Sequence, residues 1–127
     1  MTNKKQNDLT PTGNCYQAAG QFMMDNYYTS RSDDSDHVKL VHGHPTLTRE
    51  PYTKYGHAWI EIDDRLCLDV ESGAMLSKEL FYEIGNINPD ECHYYAKKDM
   101  RKWVTETGHW GPWEGPDAVG PVWNKDE

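Results

Sequence analysis

The sequence predicts an α+β domain: one main helix packed on an antiparallel sheet of about four strands, with two smaller helices and an aromatic tail. Three observations predict it. Residues 55 to 70 alternate apolar and polar positions on both sides of the polar run Asp63-Asp64-Arg65, the pattern of a β-hairpin. Residues 15 to about 28 repeat Tyr16, Ala19, Phe22, Met23 and Tyr27 at helical spacing, and Ala18, Ala19 and Gly20 are small enough to let that helix approach a sheet. No internal repeat or linker interrupts the 127 residues, so residues 1–127 read as a single domain.

In chain order, residues 1–10 are polar and read as a loose N-terminus, and Pro11-Thr12-Gly13-Asn14 as a turn leading into the main helix, with Asn14 as its cap. The acidic run of residues 29 to 36 reads as a solvated loop. Val38 to His44 resumes as a strand. Residues 45 to 56, rich in Thr, Pro and Tyr, are expected to cross an exposed edge and overhang the site. The hairpin follows. Ser77 caps a short helix that Gly85 stops, Asn88-Pro89-Asp90 turns the chain, and His93 to Lys97 has the aromatic content of a last strand. From Lys98 to Thr107, Met100, Trp103 and Val104 sit at helical spacing before Gly108. Residues 108–127 are too rich in Gly and Pro for regular structure, yet hold three of the five tryptophans, so part of this tail is expected to pack back on the body.

Charge and composition narrow the function. The net charge is -8 and the 13 basic residues are scattered, which argues against a nucleic-acid surface, since phosphate contacts need clustered Lys and Arg. No apolar run reaches the roughly 18–20 residues of a membrane span, and the polar opening lacks the apolar stretch of a signal peptide. A cytoplasmic chain is expected. An odd count of three cysteines without regular spacing is no disulfide framework, so Cys15, Cys67 and Cys92 read as thiols.

Among them only Cys15 stands where a helix begins. The positive end of the helix dipole and the unpaired backbone N–H groups there favour a thiolate, and a neighbouring imidazolium would favour it further. His57 opens the first strand of the hairpin and Asp69 lies near the end of the second, positions that antiparallel pairing can bring opposite or diagonal to each other. Cys15 as nucleophile, His57 as base and acid, and Asp69 as orienter form a triad for acyl transfer. The expected geometry puts Cys15 Sγ within about 4 Å of one His57 nitrogen, with Asp69 on the other. The backbone N–H of Cys15, with Asn14 or Gln17, is expected to stabilise an oxyanion. His42, His44 and Trp59 are candidates for the cleft.

The residues Asn14-Cys15, the small-residue helix after them, the strand Gly56-His57-Ala58-Trp59-Ile60-Glu61 and the following Leu68-Asp69 resemble the transglutaminase-like branch of the papain-like cysteine peptidase superfamily, in its small bacterial and phage members. Leader peptidases of lasso-peptide maturation share a similar His-Ala-Trp strand. The resemblance spans about residues 13 to 71. It implies a papain-like core, the same three catalytic residues, a peptide or protein amide as substrate, and no cofactor.

Two other classes compete. A catalytically inactive binding module of the same fold, such as a phage protein acting on a host partner, would use the tail tryptophans as anchors. A metal-dependent hydrolase would use His42 and His44, with His57, His93, Cys92 or Asp69 completing the set. That alternative lacks Cys-x-x-Cys or His-Glu-x-x-His spacing, so no metal is assigned. Asp33-Asp34-Ser35-Asp36 and Asp63-Asp64 lack a calcium-loop pattern.

Overall fold

A computed structural model describes residues 14–25, 37–47 and 50–122. In chain order they form helix α1 (Asn14–Asp25), strands β1 (Val38–Gly43), β2 (His57–Ile62), β3 (Leu66–Asp69) and β4 (Ala74–Ser77), helix α2 (Lys78–Ile84), a 3₁₀ turn (Pro89–Glu91), strand β5 (His93–Tyr95) and helix α3 (Lys97–Thr107). The strands make one five-stranded sheet in the order β4-β3-β2-β1-β5, with every neighbouring pair antiparallel. The fold is therefore α+β as expected, with one strand more. The expected turn at residues 11–13 and the acidic loop at 29–36 lie outside the described residues.

Local chemistry accounts for the element ends. The hairpin turns at Asp63 and Asp64, both left-handed at φ 56° and 60°, a conformation that short Asx side chains tolerate. The Leu80 N–H donates to the Ser77 hydroxyl at the start of α2, and Gly85 follows its last residue. Helix α3 ends on Gly108 at φ 79°, whose N–H donates to the Val104 carbonyl.

The two faces of the sheet carry different covers. Ala58 and Ile60 of β2, with Val38 and Leu40 of β1 and Tyr95 of β5, pack against Cys15, Tyr16, Ala19 and Met23 of α1 and Met100 of α3. The residues between them in β2 and its neighbours, Val41, Trp59 and Cys67, turn the other way and pack against Phe81 and Tyr82 of α2. The result is α1 and α3, then the sheet, then α2.

Under α2 lies a buried carboxylate. Glu61 is 3% exposed, and its Oε2 accepts from Trp59 Nε1 at 3.1 Å and from the Tyr82 hydroxyl, while Oε1 faces Lys78 Nζ at 3.2 Å. Glu61→Ala would strand an indole N–H and a phenol in the core and remove a counter-ion of Lys78. It is expected to cost about 3–5 kcal/mol, read as a lowered urea midpoint at unchanged slope. A loss below about 1 kcal/mol would show that this network does not hold α2 on the sheet.

The tail returns to the body, as the tryptophans suggested. Trp113 is 5% exposed and stacks on Trp103 of α3 with ring centroids 5.8 Å apart, and Trp110 lies over Gly20, where an added Cβ would stand 2.4 Å from the indole. Glycine at position 20 is what lets the tail cross α1 there. Among the described residues, no helix is long and apolar enough to cross a membrane.

Candidate active site

Helix α1 begins, β2 begins and β3 ends at the same end of the sheet, and each supplies one of the side chains expected there. The register pairs Ile60 with Leu68, so Asp69 stands diagonal to His57 with its side chain toward the same face. His57 Nε2 and Asp69 Oδ2 are 3.2 Å apart. Cys15 Sγ, a His57 ring nitrogen and a Glu71 carboxylate oxygen all lie within 4.8 Å of one another. With Nε2 held by Asp69, Nδ1 is the nitrogen left for the thiol. Cys15 is 3% and His57 8% exposed, whereas Glu71 is exposed and marks the side on which the cluster meets solvent.

Electrostatics decide where the proton of this cluster resides. Burial alone would push the His57 imidazolium down, but hydrogen bonding and charge interaction with Asp69 and Cys15 outweigh it and raise its pKa to about 10. Burial likewise pushes the Asp69 carboxyl up, and the bond to His57 and its charge, with the Ser72 backbone and hydroxyl groups beside it, bring it below its ordinary range. At neutral pH His57 is charged and Asp69 is its counter-ion. The other two thiols sit in the opposite environment: burial, then the Glu61 carboxylate, pushes Cys67 well up, and burial raises Cys92.

On the α2 side a cleft of about 250 Å³ opens beside His57 and Asp69. Its walls are mainly apolar, from Leu47, Tyr55, Leu76, Phe81 and Ile87. Residues 45–47 and 55 form one wall, so the segment expected to overhang the site does border it, pinned by a bridge between Thr46 and Lys54. A wider depression of about 530 Å³ lies at the other end of the hairpin, but most of its charged side chains pair among themselves, Lys78 with Asp64 at 2.5 Å and His37 with Asp63.

Several candidates stand elsewhere. His42 points to the α1 side, where its ring meets those of Tyr16, Tyr95 and Trp113 at centroid distances of 4.8, 5.0 and 4.9 Å. It is a core residue, not a cleft residue, because the two-residue period of β1 turns it under the tail. His44 leaves the strand and pairs with Asp117 of the tail at 2.7 Å. The two histidines thus share no metal position, and among the described residues Cys15, His57 and Glu71 form the cluster whose donor atoms converge. Trp59 is fully buried between the sheet and α2, a support beneath the site and not part of its wall. Gln17 is exposed and Asn14 is the first residue of α1. The expected cap and oxyanion role of the Asn14 side chain lies outside what the structure describes.

Two residues near the chemistry escaped the sequence reading. Tyr55 sets its ring 5.7 Å from that of His57, and Glu71, in the turn between β3 and β4, brings a carboxylate oxygen within 4.8 Å of the thiol. No strand period marks Glu71 in the sequence, because β3 ends at Asp69 and residue 71 lies in the turn. Comparison with protein-family models, with curated proteins and with solved structures finds no match to this chain.

Proposed function

We propose that the chain is a thiol-dependent hydrolase or acyl transferase acting on an amide bond of a peptide or protein, built on a papain-like core of the transglutaminase-like kind. The observation that supports the reading is the run of contacts from Cys15 through His57 to Asp69, made by a helix start and two adjacent strands. Cys15 Sγ attacks the carbonyl carbon, forming a carbon–sulfur bond. The backbone N–H of Cys15, in the first turn of α1 where no helical carbonyl reaches it, stabilises the oxyanion. As the carbon–nitrogen bond breaks, the leaving amine takes the proton held by His57. His57 then removes a proton from water, which attacks the thioester and returns the thiol. An amine in place of water completes a transfer instead.

Alkylation tests the nucleophile without knowledge of the substrate. At pH 6 iodoacetamide should modify Cys15 at least ~10-fold faster than Cys67 or Cys92, whose thiols are raised by burial, and His57→Ala should remove the difference. Equal rates at the three cysteines, read by peptide mass spectrometry, would rule out the nucleophile.

A further inference from the structure

The Cys15 cluster contains one donor that acyl transfer does not use. Glu71 brings a carboxylate oxygen within 4.8 Å of both the sulfur and the imidazole nitrogen. A thiolate, an imidazole and a carboxylate are three of the usual zinc ligands, and three protein ligands with one open position make a coordination set that zinc accepts. With zinc–sulfur bonds near 2.3 Å and zinc–nitrogen or zinc–oxygen bonds near 2.0–2.2 Å, tetrahedral ligands stand about 3.4–3.6 Å apart. The three donors lie within 4.8 Å of one another, at most about 1.4 Å beyond that spacing, so an ion would have to draw them only slightly together.

A second observation points the same way. A histidine that binds a metal through one nitrogen almost always gives its other N–H to a carboxylate or carbonyl, which fixes ring and tautomer. Here His57 Nε2 faces Asp69 Oδ2 at 3.2 Å and leaves Nδ1 for the cluster. We propose that Cys15, His57 and Glu71 bind a zinc ion that holds the thiol in an inactive state. As regulation this rests on Cys15 being the nucleophile; as a metal site it does not. Binding takes the sulfur as thiolate and the imidazole as neutral base, so uptake of the ion releases protons to solvent.

The test uses the full chain with zinc alone, and cobalt as a spectroscopic substitute. Titration against a chromophoric chelator should give one zinc per chain, and cobalt should show a thiolate-to-metal charge-transfer band. Cys15→Ser should abolish that band, and Glu71→Gln and Asp69→Asn should each weaken zinc binding by about 10–100-fold. Zinc should block iodoacetamide at Cys15 in proportion to occupancy, with EDTA restoring it. Absence of stoichiometric binding, or binding unchanged in both Cys15→Ser and Glu71→Gln, would overturn the site. Fast alkylation of Cys15 without zinc binding removes this inference and leaves acyl transfer standing. Zinc binding with the expected variant pattern, but with Cys15 no more reactive than Cys67, supports the site and removes its regulatory role together with the hydrolase.

Discussion

Asp69→Asn is expected to lower amide-cleaving activity by about 10³–10⁴-fold while the chain stays folded. The replacement keeps the shape of the side chain, but it offers His57 Nε2 a neutral amide where a charged acceptor stood 3.2 Å away. Two consequences follow from the forces on the ring. The imidazole loses its orienter, so the tautomer that presents Nδ1 to Cys15 is no longer enforced. It also loses the strongest of the interactions that oppose burial and hold its pKa near 10. The alkaline limb of the activity profile should therefore move down from about 10 toward the ordinary histidine value, and rapid alkylation of Cys15 at pH 6 should slow in parallel. A merely structural Asp69 would move neither profile. Circular dichroism and a urea midpoint would show that the variant is folded, and a folded Asp69→Asn with an unshifted alkaline limb would remove Asp69 from the triad.

Stability should carry the same signature. Because the folded pKa of His57 lies above its unfolded value near 6.5, its contribution is fully present below that pH and is lost as pH rises toward 10.

The parts of this fold that could be read from sequence are those whose cause is local. Ser77 and Gly85 punctuate α2, Gly108 ends α3, and alternation through Ala58, Ile60 and Ile62 marks β2, so each needs only its own neighbours. The hairpin pairs residues close in sequence, and its register alone sets Asp69 beside His57. Strand β4 escaped because Ala74-Met75-Leu76-Ser77 is short, lacks β-branched residues and ends on the residue that caps α2. The position of His42 was illegible for a different reason. Its face follows from the strand period, but its cover is Gly111 and Trp113, about seventy residues away along a Gly- and Pro-rich tail with no periodicity to read. Glu71 was passed over because a single exposed carboxylate in a turn has no pattern; only proximity to the thiol distinguishes it.

The environment of His42 leads to a large effect of acid pH on folding. The residue is 3% exposed and neither ring nitrogen has a hydrogen-bond partner among the described residues. Tyr16 from α1, Tyr95 from β5 and Trp113 from the tail enclose it, and an added Cβ at Gly111, which sits at φ 118°, would be 2.6 Å from its Cε1. Burial, with a smaller effect from His93, depresses its pKa to about 3. The folded value lies below the unfolded value near 6.5, so the stability due to the neutral ring is fully present above pH 6.5 and is lost as pH falls toward 3. At pH 4 the loss should be roughly 3 kcal/mol. His57 cannot supply this slope, since its contribution is already complete below 6.5, and Asp69 acts only below the ordinary carboxyl range. His42→Leu, which fills nearly the same space without a titrating group, should flatten the fall in urea midpoint between pH 6.5 and 4. Proton NMR on the unsubstituted chain should find the His42 ring not titrating above about pH 4. A His42 resonance moving with a midpoint near 6.5 would mean that water reaches the ring, and that the tail does not seal the α1 side of the sheet.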